Sequence, residues 1–229
     1  MWLFPLAAAC VATAFAIALG RRWWQSRRSY EAFWAIALLM YAGASLAVVF
    51  GAAGGWISGE FRVYWVLGAV LNVPFLAQGE LDLLIRARAA RWALYVLLAF
   101  ITAYTIAVVR TAEIHAGALA EKLPSGKDVF GDGTTAHRLP QLIAIPAYLI
   151  LVGGTLWSAW RMRGRPELRD RFWGTLIIAL GATVIAGFGS AFAALGYLVP
   201  FSLSLLVGIT VMFLGFVRAA RQRRPAPAA

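Results

Sequence analysis

Apolar residues fill this chain in long blocks, and the polar ones gather between the blocks instead of alternating with them. A hydrocarbon core of roughly 30 Å takes about 20 mostly apolar helical residues to cross. Seven stretches meet that length, near residues 2–20, 30–53, 63–85, 92–112, 139–160, 172–196 and 199–217. The pattern predicts an all-α integral membrane protein, a seven-transmembrane-helix bundle, because only helices or closed barrels satisfy their backbone groups in lipid. Residues 1–222 form a single domain in this reading, and the Pro/Ala tail 223–229 is expected to be disordered on the cytoplasmic side. The longest connection, about 113–138, reads as a solvated loop.

Charge then orients the threading. Sixteen of the 21 Lys and Arg residues fall after spans 1, 3, 5 and 7: Arg21, Arg22, Arg27, Arg28; Arg86, Arg88, Arg91; five arginines from Arg161 to Arg171; and Arg218, Arg221, Arg223, Arg224. The opposite side carries Arg62, Arg110, Lys122, Lys127 and Arg138, balanced by Glu60, Glu113, Glu121, Asp128 and Asp132. Basic residues in short loops stay cytoplasmic, so the N-terminus is expected outside and the C-terminus inside. The formal charge of +11 therefore belongs to a membrane rim whose partner is anionic lipid headgroups, not nucleic acid. A mean hydropathy of +0.75 fits that assignment. All ten Trp residues lie within a few residues of a span end, as interfacial aromatic belts require. Leu6-Ala7-Ala8-Ala9-Cys10 has the look of a lipoprotein cleavage box, but no basic residue precedes it; an uncleaved anchor with a buried structural Cys10 is expected.

A weak internal repeat appears at an offset of 138 to 139 residues. Phe33-Trp34 and Gly43-Ala44-Ser45 match Phe172-Trp173 and Gly181-Ala182-Thr183, and Val73-Pro74-Phe75-Leu76-Ala77 matches Val211-Met212-Phe213-Leu214-Gly215. Spans 2 and 6 run the same way, so the implied duplication is parallel: three helices, a linking helix, then three more. Chance matching in a small apolar alphabet is the competing account. In helix plan the chain resembles the SWEET sugar transporters, and Pro140-Gln141 is its one trace of the Pro-Gln pair of the wider PQ-loop group. The resemblance is one of topology.

Span 3 carries most of the intramembrane polarity, with Asn72, Gln78, Glu80 and Asp82. At 100° per residue Gln78 and Asp82 share a face while Glu80 points about 160° away, so the carboxylates are no side-by-side dyad. Acidic groups at membrane depth serve as proton or cation sites, or else pair with Arg86, Arg88 or Arg165 at the rim. Asn72 precedes Pro74, which removes a backbone donor. Pro146 bends span 5 at a comparable depth, and Asn72, Tyr148, Tyr104 and Gln141 are candidates for lining a pocket there. The small residues of spans 2 and 6 read as helix-packing faces. His115 and His137, with Glu113, Asp128 and Asp132, lack metal-ligand spacing. Two loop histidines supply no paired haem ligands, and neither Lys122 nor Lys127 lies in span 7 to hold retinal, so no cofactor and no metal is expected.

The expected function is that of a transporter-like or channel-like protein of a bacterial inner membrane. It would handle a small solute or ion between two three-helix halves, through Asn72, Pro74, Gln78, Glu80, Asp82, Tyr104, Gln141 and Tyr148. Alternatives are a small-ligand receptor signalling through a separate partner, and a structural or assembly subunit, either one open to homo-oligomerisation. No enzyme motif is present.

Overall fold

The computed structural model describes residues 2–221, so the tail expected to be disordered, 223–229, lies outside the described residues. Seven helices are long and apolar enough to cross a membrane: α1 (Leu3–Ser26), α2 (Ser29–Gly54), α3 (Ser58–Leu84), α4 (Arg88–Thr111), α5 (Thr135–Met162), α6 (Pro166–Ala194) and α7 (Leu198–Arg221). Most outrun their hydropathy blocks at the arginine-rich end, because a helix continues until a residue breaks its hydrogen-bond ladder, not until it turns polar. α1 runs through Arg21–Trp24 and stops at Arg27, whose left-handed φ of 53° lets its N–H close on the Trp23 carbonyl at 2.7 Å.

Packing neighbours follow the order α1–α2–α3–α5–α6–α7 and back to α1, a closed ring of six. α4 stands outside the ring against α3 and α5, with Leu98, Thr105 and Val109 turned inward and Trp92, Val96, Leu97 and Phe100 exposed. Two reciprocal glycine pairs bring α6 and α7 into backbone contact: a Cβ on Gly174 would lie 2.6 Å from the Gly215 carbonyl, and one on Gly181 2.6 Å from that of Gly208. Lipid supplies no hydrophobic drive between helices, so such close approach is what holds them. α1 joins α7 through Phe15, whose ring centroid lies 5.2 Å from Phe213 and 5.0 Å from Phe216.

Three π-helical segments interrupt the ring: Trp65–Leu71 in α3, Pro140–Ala144 in α5 and Val184–Gly189 in α6. The first two end just before Pro74 and Pro146. Each widened turn sits beside a proline that lacks an N–H and crowds the carbonyl one turn back. The third lies in a glycine-rich stretch.

Three expectations change. The 112–134 connection is not simply solvated: Leu119, Leu123, Val129 and Phe130 are buried, and Phe130 lies 5.6 Å from both Phe61 and Trp65. It folds as a cap held by Trp56, whose Nε1 donates to the Lys122 carbonyl at 3.1 Å, while Trp65 Nε1 ties α3 to the first turn of α5 at the Ala136 carbonyl, 3.0 Å away. Trp56 and Trp65 thus belong to a packed cluster rather than an interfacial belt; Trp2, Trp24, Trp92, Trp157, Trp160 and Trp173 are exposed. Cys10 is exposed, on an outward face of α1, not buried.

Candidate functional site

Inside the ring lies a cavity of about 830 Å³, walled by α2, α3, α5, α6 and α7 and roofed by residues 124–128 of the cap. Its walls are largely apolar, with Leu38, Val48, Leu76, Leu151, Ile185 and Met212 among them. All three π-helical segments contribute residues to its lining: Trp65, Gly68 and Ala69; Pro140, Gln141 and Ala144; Ile185, Ala186, Gly187 and Gly189. An i→i+5 turn displaces its side chains from the α-helical stripe, and here that displacement opens the space between the helices.

Asn72, on α3 directly after the first π-helical segment, is 6% exposed, faces the cavity, and makes no side-chain hydrogen bond to a described residue. Its amide opens on the cavity and is free to bond a guest there, as donor or as acceptor. Three other polar side chains of the lining are already engaged. Tyr41 donates to the Leu205 carbonyl at 2.9 Å, and Tyr148 donates to Thr183 Oγ1 at 3.0 Å, which donates in turn to the Ala179 carbonyl at 2.9 Å. Gln141, with its amide nitrogen toward the backbone, donates to the carbonyls of His137 and Arg138 at 2.9 Å each, acceptors beside the second π-helical segment. Charged lining residues, Lys127 and Asp128, occur only in the roof.

The structure divides the sequence candidates. Asn72, Gln141 and Tyr148 share the cavity. Tyr104 does not: it is exposed on α4, outside the ring, stacked on Phe100 at 6.1 Å and beside a separate surface recess under the cap. Its span alone could not reveal which side of α3 it would pack on. Pro74 is buried and shapes the helix without lining the space. Gln78, Glu80 and Asp82 lie past the cavity floor at Leu76, toward the arginine-rich end.

Their pairing also differs from the rim ion pairs considered as an alternative. Asp82 accepts from Gln78 Nε2 at 2.9 Å and from the Tyr95 hydroxyl at 2.8 Å, which agrees with the shared face of Gln78 and Asp82. Glu80 turns the other way, to α5, where Ser158 Oγ donates to Oε1 at 3.0 Å. Gly154 admits it, since a Cβ there would lie 2.7 Å from Glu80 Cγ. Neither carboxylate forms an ion pair with Arg86, Arg88 or Arg165 among the described residues. This pairing of α3 with α5 closes the ring below the cavity.

Sequence reasoning passed over Glu31. It is fully buried at the start of α2, 3.2 Å from Arg22 Nη2, and it accepts hydrogen bonds from Ser26 and Tyr30. Its place in a run of arginines disguised it as a rim charge. In the cap, His115 Nδ1 lies 3.1 Å from the Val129 carbonyl, and His137, in the first turn of α5, faces Asp132 at 3.9 Å; among the described residues no three His, Cys, Asp or Glu converge.

The fold and this cavity define a polytopic membrane protein with a largely apolar internal chamber. No family model matches the chain, and no curated protein or solved structure is significantly similar to it. The likeness drawn from helix order therefore rests on order alone.

Proposed function

We propose that the protein is a carrier that binds a small uncharged molecule, apolar in body and with one hydrogen-bonding group, in the chamber between two three-helix halves. The observation that carries this reading is Asn72, an unpartnered and nearly buried amide on the wall of a chamber large enough for a small molecule. An ion is a poorer guest, since no charged side chain lines the walls below the roof to offset its desolvation.

The ring order supports a parallel duplication. In that order a half-turn about an axis along the membrane normal would exchange α1, α2 and α3 with α5, α6 and α7, and leave α4 as the link. The chamber is bounded by α2 and α3 on one side and by α5, α6 and α7 on the other, where rocking of the halves would gate it. With the N-terminus outside, the cap covers the outer end and the Glu80–Ser158 contact of α3 with α5 forms the inner closure.

Spin-label pairs test the carrier reading without knowledge of the ligand. In a Cys10→Ser background, labels on Gly59→Cys with Leu195→Cys report the capped end, and labels on Arg86→Cys with Arg163→Cys the arginine-rich end. All four positions are exposed. Two distance populations at each end, one widening where the other narrows, are expected in lipid nanodiscs. A single population at both ends overturns the carrier and leaves a receptor with a fixed pocket.

A further inference from the structure

We infer that the chamber takes its ligand sideways from the membrane, between the capped-end halves of α5 and α6, and that this ligand is an uncharged lipid-soluble molecule with a carbonyl or hydroxyl group. The inference rests on the binding role of Asn72 proposed above and adds a route and a chemical class.

Helices α5 and α6 pack together along residues 145–162 and 169–183 and separate toward the cap, where their π-helical segments lie. Ile145 and Leu149 both line the chamber and are exposed, at 53% and 63%. Bulky apolar residues that line the chamber and are still this exposed mark the seam where its wall is thinnest. Across the gap Gly187 and Ala194 are also exposed lining residues, and a Cβ on Gly187 would meet nothing within 4 Å.

The neighbouring seams are closed. α3 and α5 meet through their π-helical segments, and α6 and α7 through the glycine pairs. The direct route from water is roofed: Gly126 lies so close to Trp65 that a Cβ would overlap its ring, at 1.8 Å, and Leu123 is buried.

The depth agrees with a lipid route. Along α7 the lining stretch from Phe201 to Met212 rises ~16 Å, close to half of the roughly 30 Å hydrocarbon core. An apolar body one leaflet long therefore fits without leaving hydrocarbon. Asn72 lies one helical turn above the floor at Leu76 and can both donate and accept, which suits a carbonyl or a hydroxyl at the leading end of the guest. A carboxylate or ammonium at that depth would have no countercharge on the walls.

The test uses the full chain in nanodiscs, with a diazirine-bearing long-chain methyl ketone dissolved in the bilayer as probe and mass spectrometry to locate the photoadducts. In the wild type, adducts are expected inside the ring, on Tyr41, Trp65 and Leu205. Gly187→Phe, which has room to fold, should narrow the gap and slow their appearance roughly tenfold, a change in entry and not in affinity. Glu121→Trp, exposed in the cap and off the chamber lining, should leave the rate unchanged. If Glu121→Trp slows labelling and Gly187→Phe does not, the lateral route is wrong while the binding reading stands. Equal labelling of these residues by the matching long-chain carboxylate overturns the uncharged class alone. Adducts confined to the outer surface of the ring overturn the binding reading itself.

Discussion

At Asn72 stability and binding pull apart. Its amide makes no hydrogen bond to a described side chain or backbone group and opens on the chamber, so exchanging it for an apolar group of similar volume breaks no protein contact and leaves packing intact. Asn72→Leu should therefore keep or raise the thermal stability of the purified protein, by up to about 1 kcal/mol, while abolishing capture of the ketone probe. A drop in melting temperature of the size seen on truncating a core leucine would mean that the amide has a protein partner after all. Asn72 was legible in the sequence because an amide is conspicuous among Leu, Val and Ala. Glu31 was not, since its burial comes from α1 folding back over it, and Tyr104 misled because a residue's own helix says nothing about which neighbour it meets.

Between elements, the glycines of α6 divide into two kinds that look alike in the sequence. Gly174 and Gly181 meet the backbone of α7, where no side chain can rotate aside, whereas Gly187 opens on the chamber. Gly181→Val should force α6 and α7 apart and lower stability by about 1–3 kcal/mol, the range for overpacking a closed interface. Gly187→Val should be nearly neutral apart from a small β-branched helix penalty. Thermal unfolding of the two variants in the same lipid checks the contrast, and equal losses would contradict this division of the face. The π-helical segments were half legible in the same sense. Pro74 and Pro146 announced local distortion of α3 and α5. Val184–Gly189 contains no proline, so nothing in the sequence announced its widened turn, which packs against α7.

Across the whole molecule, hydropathy placed the seven helices to within a few residues at most ends, because crossing a bilayer constrains length and composition together. Their order around the ring was not readable in this way, since lipid-facing and chamber-facing positions are both apolar and amphipathic periodicity fades. Orientation depends on a different signal, the arginines. Those described cluster at the end away from the cap, where Arg22 reaches Glu31, Arg218 lies 3.4 Å from Asp170, and many others remain exposed. A basic residue near an anionic cytoplasmic leaflet is worth about 1 kcal/mol, so a difference of this size between the two ends outweighs any single contact in the bundle. In a Cys10→Ser background, Gly117→Cys in the cap should react with a membrane-impermeant maleimide on intact cells. Arg163→Cys should react only after permeabilisation. The reverse pattern would place the cap and its roofed chamber on the cytoplasmic side, and the lateral gap would then open onto the inner leaflet.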